Sequence, residues 1–266
     1  MKKNTAILLS FFMLVGAGSI RAEEEKAVVS PAAVVDAYQH IVASNKECNN
    51  FSIKFNEKRD VMGVLLKDSN KLIIVDLNSM KVLDYPKQEN AGKITGFSFN
   101  ARKVVVKYSS WLGKSKSHCV DCCKKRAATK GTKKIDIDAL DDQRAVDSAA
   151  ILEKILTGNK DCETITIKYG SKNQFIGILL HDDANAIFVY DLQNLQKNPF
   201  ILYPPTKIGD FEIEISKDKN GKETNLLVLC YADVFKSKEK VNLDSDEYES
   251  TESKTGWGLF PAKGHV

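Results

Sequence analysis

The chain switches between two apolar rhythms, and the same switch occurs twice along it. Val34, Val35, Tyr38, Ile41 and Val42 recur at helical spacing behind Ser30-Pro31, a capping residue with proline at the first helical position. Ile151, Leu152, Ile155 and Leu156 repeat that spacing, and Gly158 is placed to end the helix. A period of two then takes over. Phe51, Ile53 and Phe55 alternate with polar residues, as do Ile165, Ile167 and Tyr169, which predicts strands in a sheet with one wet face. Val61 to Leu66 and Leu72 to Val75 are shorter apolar runs split by the turn-forming Lys67-Asp68-Ser69-Asn70. Their counterparts are Phe175 to Leu180 and Ile187 to Tyr190. Gly96 to Phe99 with Val104 to Tyr108, and Phe211 to Ile215 with Leu226 to Tyr231, complete the two series; Lys217 to Lys222 reads as a hairpin loop.

Direct comparison of the two series points to an internal repeat. Between Cys48–Asp68 and Cys162–Asp182, 8 of 21 positions are identical without a gap. Val75-Asp76-Leu77 then meets Tyr190-Asp191-Leu192, and Leu83-Asp84-Tyr85-Pro86 meets Ile201-Leu202-Tyr203-Pro204. The expected fold is therefore α+β, two tandem copies of a helix plus an antiparallel sheet of about five strands, at about residues 31–110 and 147–235. A propeller is the competing picture, but two copies cannot close its ring and the helices have no place in one. Gly63 and Gly177 fall at matching places inside strand patterns, where glycine marks a bulge or a close backbone approach.

Three features lie outside the two copies. Residues 1–22 carry a basic start at Lys2-Lys3, an apolar run from Ala6 to Val15 and a small-residue stretch, the pattern of a signal peptide cleaved after Ala22, or after Ser19. The run from Ala6 to Ile20 is 15 residues long, short of the roughly 20 a spanning helix needs. Export without stable membrane insertion is expected, to the periplasm or the medium. Residues 111–146 form a charged connector: eight basic residues and only Asp121 between Leu112 and Lys134, then a run of aspartates. Residues 236–266 form a polar tail expected to be disordered, ending in Gly256-Trp257-Gly258-Leu259-Phe260-Pro261.

The formal charge of +4 falls near +1 once Lys2, Lys3 and Arg21 leave with the leader. A global field that gathers nucleic acid is thus absent, and no aromatic is interleaved in the basic connector after Trp111 for base stacking. The connector's Lys124, Lys125 and Arg126 remain candidates for an acidic partner. Lys54 and Lys168 match between the copies and fall on the predicted wet face, so they are candidates for a shared ligand surface.

Six cysteines remain after export, in a compartment that permits disulfides. Cys48 and Cys162 match between the copies, Cys230 lies on the last strand of the second, and Lys107 stands at its place in the first. That asymmetry predicts Cys162–Cys230 and Cys48 with one of the Cys119, Cys122 and Cys123 cluster, Cys119 foremost, each bridge closing a loop of about 70 residues worth roughly 2–4 kcal/mol. Cys122 and Cys123 are left as a strained pair, reactive thiols or the link of a dimer. His118, Cys119, Cys122 and Cys123 are ligand types that suit zinc. So few consecutive residues rarely wrap one tetrahedral ion, however, and no metal or other cofactor is expected. Asp68 and Asp182 read as turn residues that bond their own backbone, and Asp76 and Asp191 as structural acids at strand ends. The chain shows no phosphate loop, nucleophile elbow or HExxH. The expected function is non-catalytic binding of a protein or an anionic ligand; the alternative is a thiol–disulfide redox protein using Cys119, Cys122 or Cys123.

Overall fold

Serine and aspartate side chains start the two helices. In the computed structural model the Ser30 hydroxyl accepts from Ala32 N–H at 3.3 Å ahead of α1 (Pro31–Ser44), and Asp142 accepts from Ala145 N–H ahead of α2 (Gln143–Gly158). The structure describes residues 30–85, 92–100, 103–109, 116–121, 133–134, 142–182, 185–233 and 237–244. The expected leader, Lys124, Lys125, Arg126, Cys122, Cys123 and the aromatic end of the tail lie outside those residues, as do the side chains of His118 and Cys119. Gly158 is the last residue of α2 but not its cap. Asn159, like Asn45 after α1, turns its carboxamide back and donates to a last-turn carbonyl, Ile155 O at 2.8 Å and Ile41 O at 2.7 Å.

The fold is α+β, mostly antiparallel, with two helices among the described residues. The strands do not separate into two five-stranded sheets. A meander of β1 (Asn50–Phe55), β2 (Val61–Leu66), β3 (Lys71–Asp76) and β4 (Lys81–Tyr85) occurs in the first half. After β5 (Ile94–Asn100), β6 (Lys103–Tyr108), β7 (Lys116–Asp121) and β8 (Lys133–Lys134), a second meander runs through β9 (Thr164–Tyr169), β10 (Phe175–Leu180), β11 (Ala186–Asp191) and β12 (Phe200–Leu202). β1 and β9 pair antiparallel and fuse the meanders into one nine-stranded sheet, β12-β11-β10-β9-β1-β2-β3-β4-β8. The other strands make two three-stranded sheets, β5-β6-β7 and β13 (Ile208–Lys217), β14 (Glu223–Tyr231) and β15 (Lys238–Asn242).

Continuous apolar strands explain the merger. Met62, Val64 and Leu66 face the core beneath α1 and α2, whereas Leu65 packs with Phe97, Val104 and Val106 of the small sheet β5-β6-β7. On β10, Ile176, Ile178 and Leu180 face the helices, while Phe175 and Leu179 meet Phe211, Leu227 and Leu229 of the other small sheet. Strands that are apolar on both sides need cover on both sides. The layers are therefore helices, large sheet and two small sheets, and the wet face expected of β1 and β9 is largely roofed.

β15 corrects the boundary of the polar tail. Val241 and Leu243 are buried, at 0% and 5% exposed, and join the core under β13-β14. Two apolar residues in a run of charge were enough to make an edge strand. Similarly, β7 takes Lys116–Asp121 out of the connector and pairs it with β6.

The small sheets reach the large one through the glycines. A Cβ on Gly63 would lie 2.3 Å from Phe97 Cε2, and one on Gly177 would lie 2.3 Å from Phe211 Cε2. Each phenylalanine ring occupies the room a side chain would take. Asn70 and Asn185, both at positive φ, add a second clasp: their carboxamide oxygens accept from Ile94 N–H at 2.6 Å and Ile208 N–H at 3.0 Å.

Candidate functional site

The parity of β1 and β9 decides what reaches the face opposite the helices. Phe51, Ile53, Ile165 and Ile167 enter the helix-side core, so Ser52, Lys54, Thr166 and Lys168 point the other way. Ser52 stands opposite Thr166 at the middle of the β1–β9 register. Above that pair the two small sheets leave a cleft of about 390 Å³, walled by Leu65, Thr95, Gly96 and Phe97 on one side and by Lys207, Gly209 and Asp210 on the other. Lys54, Lys67, Thr164, His181 and Asp182 complete its lining.

Charge in the cleft is unevenly matched. Lys168 Nζ lies 2.9 Å from Asp210 Oδ1, which neutralises the most deeply buried lysine. Asp182 is occupied at the base of the cleft, where its Oδ2 accepts from the Glu163 N–H and, at 3.0 Å, from the Thr164 N–H. Asp68 accepts from Asn49 N–H at 2.7 Å in the corresponding place. These matched aspartates thus tie the start of one strand to the turn after the next, a tertiary bond rather than a bond within their own turn. Asp76 and Asp191 do serve their own turns, accepting from Ser79 N–H and Gln193 N–H at 2.9 Å each.

Among the described residues, Lys54, Lys67 and Lys207 are the cleft cations without an ion pair. Burial, followed by the charge of Lys107, pulls Lys54 below the usual lysine range, with Asp182 opposing. Burial also lowers Lys67; Asp210 counters it, and Lys168 and Lys93 reinforce it. His181 occupies the place on the second meander that Lys67 has on the first. Burial brings its pKa down to about 4, so it is neutral at pH 7, and its Nε2 shares a 2.7 Å hydrogen bond with Thr166 Oγ1. The cleft is therefore a polar, positively biased site with hydroxyls at its floor.

Of the ligand-surface candidates, the structure sets Lys54 and Lys168 on the face that forms this cleft; Lys124, Lys125 and Arg126 lie outside the described residues. Lys67, Lys207, Asp210 and Gly96 were missed by sequence reasoning. Lys67 was legible in principle, because it aligns with His181 at the end of the second strand and two polar residues there bracket the Lys54–Lys168 face. Lys207 and Asp210 reach the site only through the way β13 folds over the large sheet, which no local spacing records.

The predicted Cys162–Cys230 bridge is not formed. Cys48, Cys162 and Cys230 are free thiols. Cys162 belongs to the core under the helices, whereas Cys230 sits on β14, on the other side of the large sheet, and points away from the buried Leu227 and Leu229. Cys48 is likewise free in the helix-side core, while β7, which carries Cys119, lies in the opposite layer, so the Cys48–Cys119 bridge is not formed either. The thiols of Cys48 and Cys162 donate to Asn50 O and Thr164 O at 3.5 and 3.4 Å. Burial pushes all three thiols up, with Asp182 adding to Cys162, which reaches about 12. These thiols are poor nucleophiles. Among the described residues no cluster of histidine, cysteine and carboxylate is arranged to hold a metal, and no helix is long and apolar enough to cross a membrane. The sequence matches no family model and no curated protein.

Proposed function

We propose that this chain is an exported, non-catalytic binding protein that holds an anion in the cleft above the Ser52–Thr166 pair. The observation that carries the reading is the convergence there of Lys54, Lys67 and Lys207 around hydroxyl groups, with Asp210 already matched to Lys168 and Asp182 already bonded to backbone. Burial works against the charge of Lys54 and Lys67 in the cleft. An anion between them would offset that cost. Export rests on the leader pattern of residues 1–22.

The same reading holds that the protein is a diverged duplication, with copies at about residues 31–110 and 147–235 joined by a connector at 111–146. The matched residues around Cys48 and Cys162 support it. So do the glycine–phenylalanine contacts and the placing of Ser52 opposite Thr166, which would put the cleft on an approximate two-fold axis. Calorimetric titration of the purified full chain against a panel of anions tests the binding. Saturable binding that weakens with salt and disappears in a Lys54→Met/Lys67→Met protein is the expected result. A wild-type chain indifferent to every anion would remove the reading.

A further inference from the structure

Lys54 and Lys168 hold matching positions on β1 and β9, yet among the described residues only Lys168 has a carboxylate. Lys168, its side chain 8% exposed, reaches Asp210 at 2.9 Å, and its Nζ lies 5.4 Å from the centre of the Phe211 ring. Lys54 lies in the same way against Phe97, at 5.9 Å, but among the described residues it makes no ion pair. The difference is one residue. Asp210 precedes Phe211, and Gly96 precedes Phe97. Both follow a register shift in their strand, after Ile208 and after Ile94, so the two backbones correspond.

The room for a carboxylate is nevertheless there. A Cβ on Gly96 would meet nothing within 4 Å, and Gly96 opens directly into the cleft. The Lys54 ammonium is half-buried, so it is incompletely hydrated and draws a counter-charge. Its neighbours Lys67 and Lys207 add to that attraction rather than satisfying it.

Building on the anion-binding reading above, we propose that the ligand is a small organic acid. Its carboxylate enters the space over Gly96 and pairs with Lys54 as Asp210 pairs with Lys168, while Lys67 and Lys207 hold its remaining charge. The protein carries in its second half a covalent copy of the contact that its first half makes with the ligand.

Substituting that contact into the first half tests the idea. Calorimetry compares succinate and citrate with inorganic phosphate and sulfate, on the wild type, Gly96→Ala, Gly96→Asp and Lys54→Met. The wild type should bind a carboxylate, and Gly96→Ala, which puts an uncharged methyl group into that space, should lose less affinity than Gly96→Asp. Gly96→Asp, folded by circular dichroism, should bind about tenfold or more weakly, the worth of one charge-assisted hydrogen bond. Lys54→Met, which leaves the glycine untouched, should show a loss of the same size. A folded Gly96→Asp protein with wild-type affinity overturns the inference and leaves anion binding standing, as does full retention in Lys54→Met. Phosphate or sulfate bound in preference to both carboxylates overturns the ligand class. Binding of none of the four by the wild type removes the anion-binding reading itself.

Discussion

The hydroxyls of Tyr38, on α1, and Tyr169, at the end of β9, share a 2.9 Å hydrogen bond in the buried core. The ring of Phe51 stands edge-on to both, with centroids 6.2 and 6.1 Å away. A helix of the first half is thus held to a strand of the second by two polar groups that have left water together. Tyr38→Phe should cost about 1–2 kcal/mol, because it deprives a buried hydroxyl of its partner. Tyr38→Phe/Tyr169→Phe should recover part of that loss. Urea denaturation of the two singles and the double measures the coupling, and strictly additive losses would contradict it.

Gly177→Val should destabilise the protein by about 1–3 kcal/mol through overpacking. The clash is specific: the new side chain would begin 2.3 Å from Phe211, a ring 0% exposed. Gly96→Ala, where the Cβ meets open space, is the control and should leave the melting temperature nearly unchanged. Equal melting temperatures for Gly177→Val and the wild type would show that β13 yields freely.

His181 should make stability pH-dependent on the acid side. Its folded pKa of about 4 is depressed by burial below the ordinary value of 6.5, so the unfolded chain binds the extra proton first. Stability is then full above about pH 6.5 and declines as pH falls toward 4. The loss between pH 7 and pH 5 should be roughly 1–2 kcal/mol after allowing for partial solvent screening. The comparison that isolates it is His181→Gln, whose stability should fall less over the same interval. Parallel pH curves would place the acid sensitivity elsewhere.

Cys48 and Cys162 should resist alkylation in the native protein at pH 8 and react fully in denaturant, since both are buried and Cys162 is pushed up to about 12. Mass-spectrometric mapping after timed iodoacetamide treatment reads each site. Fast native labelling of Cys162, or its recovery as a disulfide with Cys230, would contradict the arrangement described.

What could be read from the chain alone follows from the range over which each signal acts. The helices, most of the strands and the matching of Gly63 with Gly177 were visible because period and local identity act within a few residues, but what meets each glycine is a side-chain ring and neither a bulge nor an approaching backbone. The phenylalanines that fill the glycine spaces lie 34 residues further on in both halves, and nothing nearby announces them. The fusion of two sheets into one was hidden by the polar alternation of β1, which looks the same whether Ser52 and Lys54 face water or a roofed cleft. The cysteines misled because each of the matched pair was given a partner at the far end of its own copy, when both are core residues on the helix side of the large sheet and those partners belong to the small sheets. The charge pairing of Lys168 with Asp210 needed the fold of β13, so the cleft's electrostatics could not be anticipated from residue counts.

The central strand pair has a consequence for how the protein is made. β1 is complete in the chain more than a hundred residues before β9 follows it. Until then one long edge of β1 keeps its backbone donors and acceptors unpaired, an open template for any passing strand. Pairing across so great a sequence separation is also slow to form. During synthesis the first half is therefore a species that must be shielded, and a chain truncated before Thr164 would present that edge permanently. The molecule reaches its safe state only when β9 arrives, so its vulnerability to self-association is a matter of timing rather than of native surface.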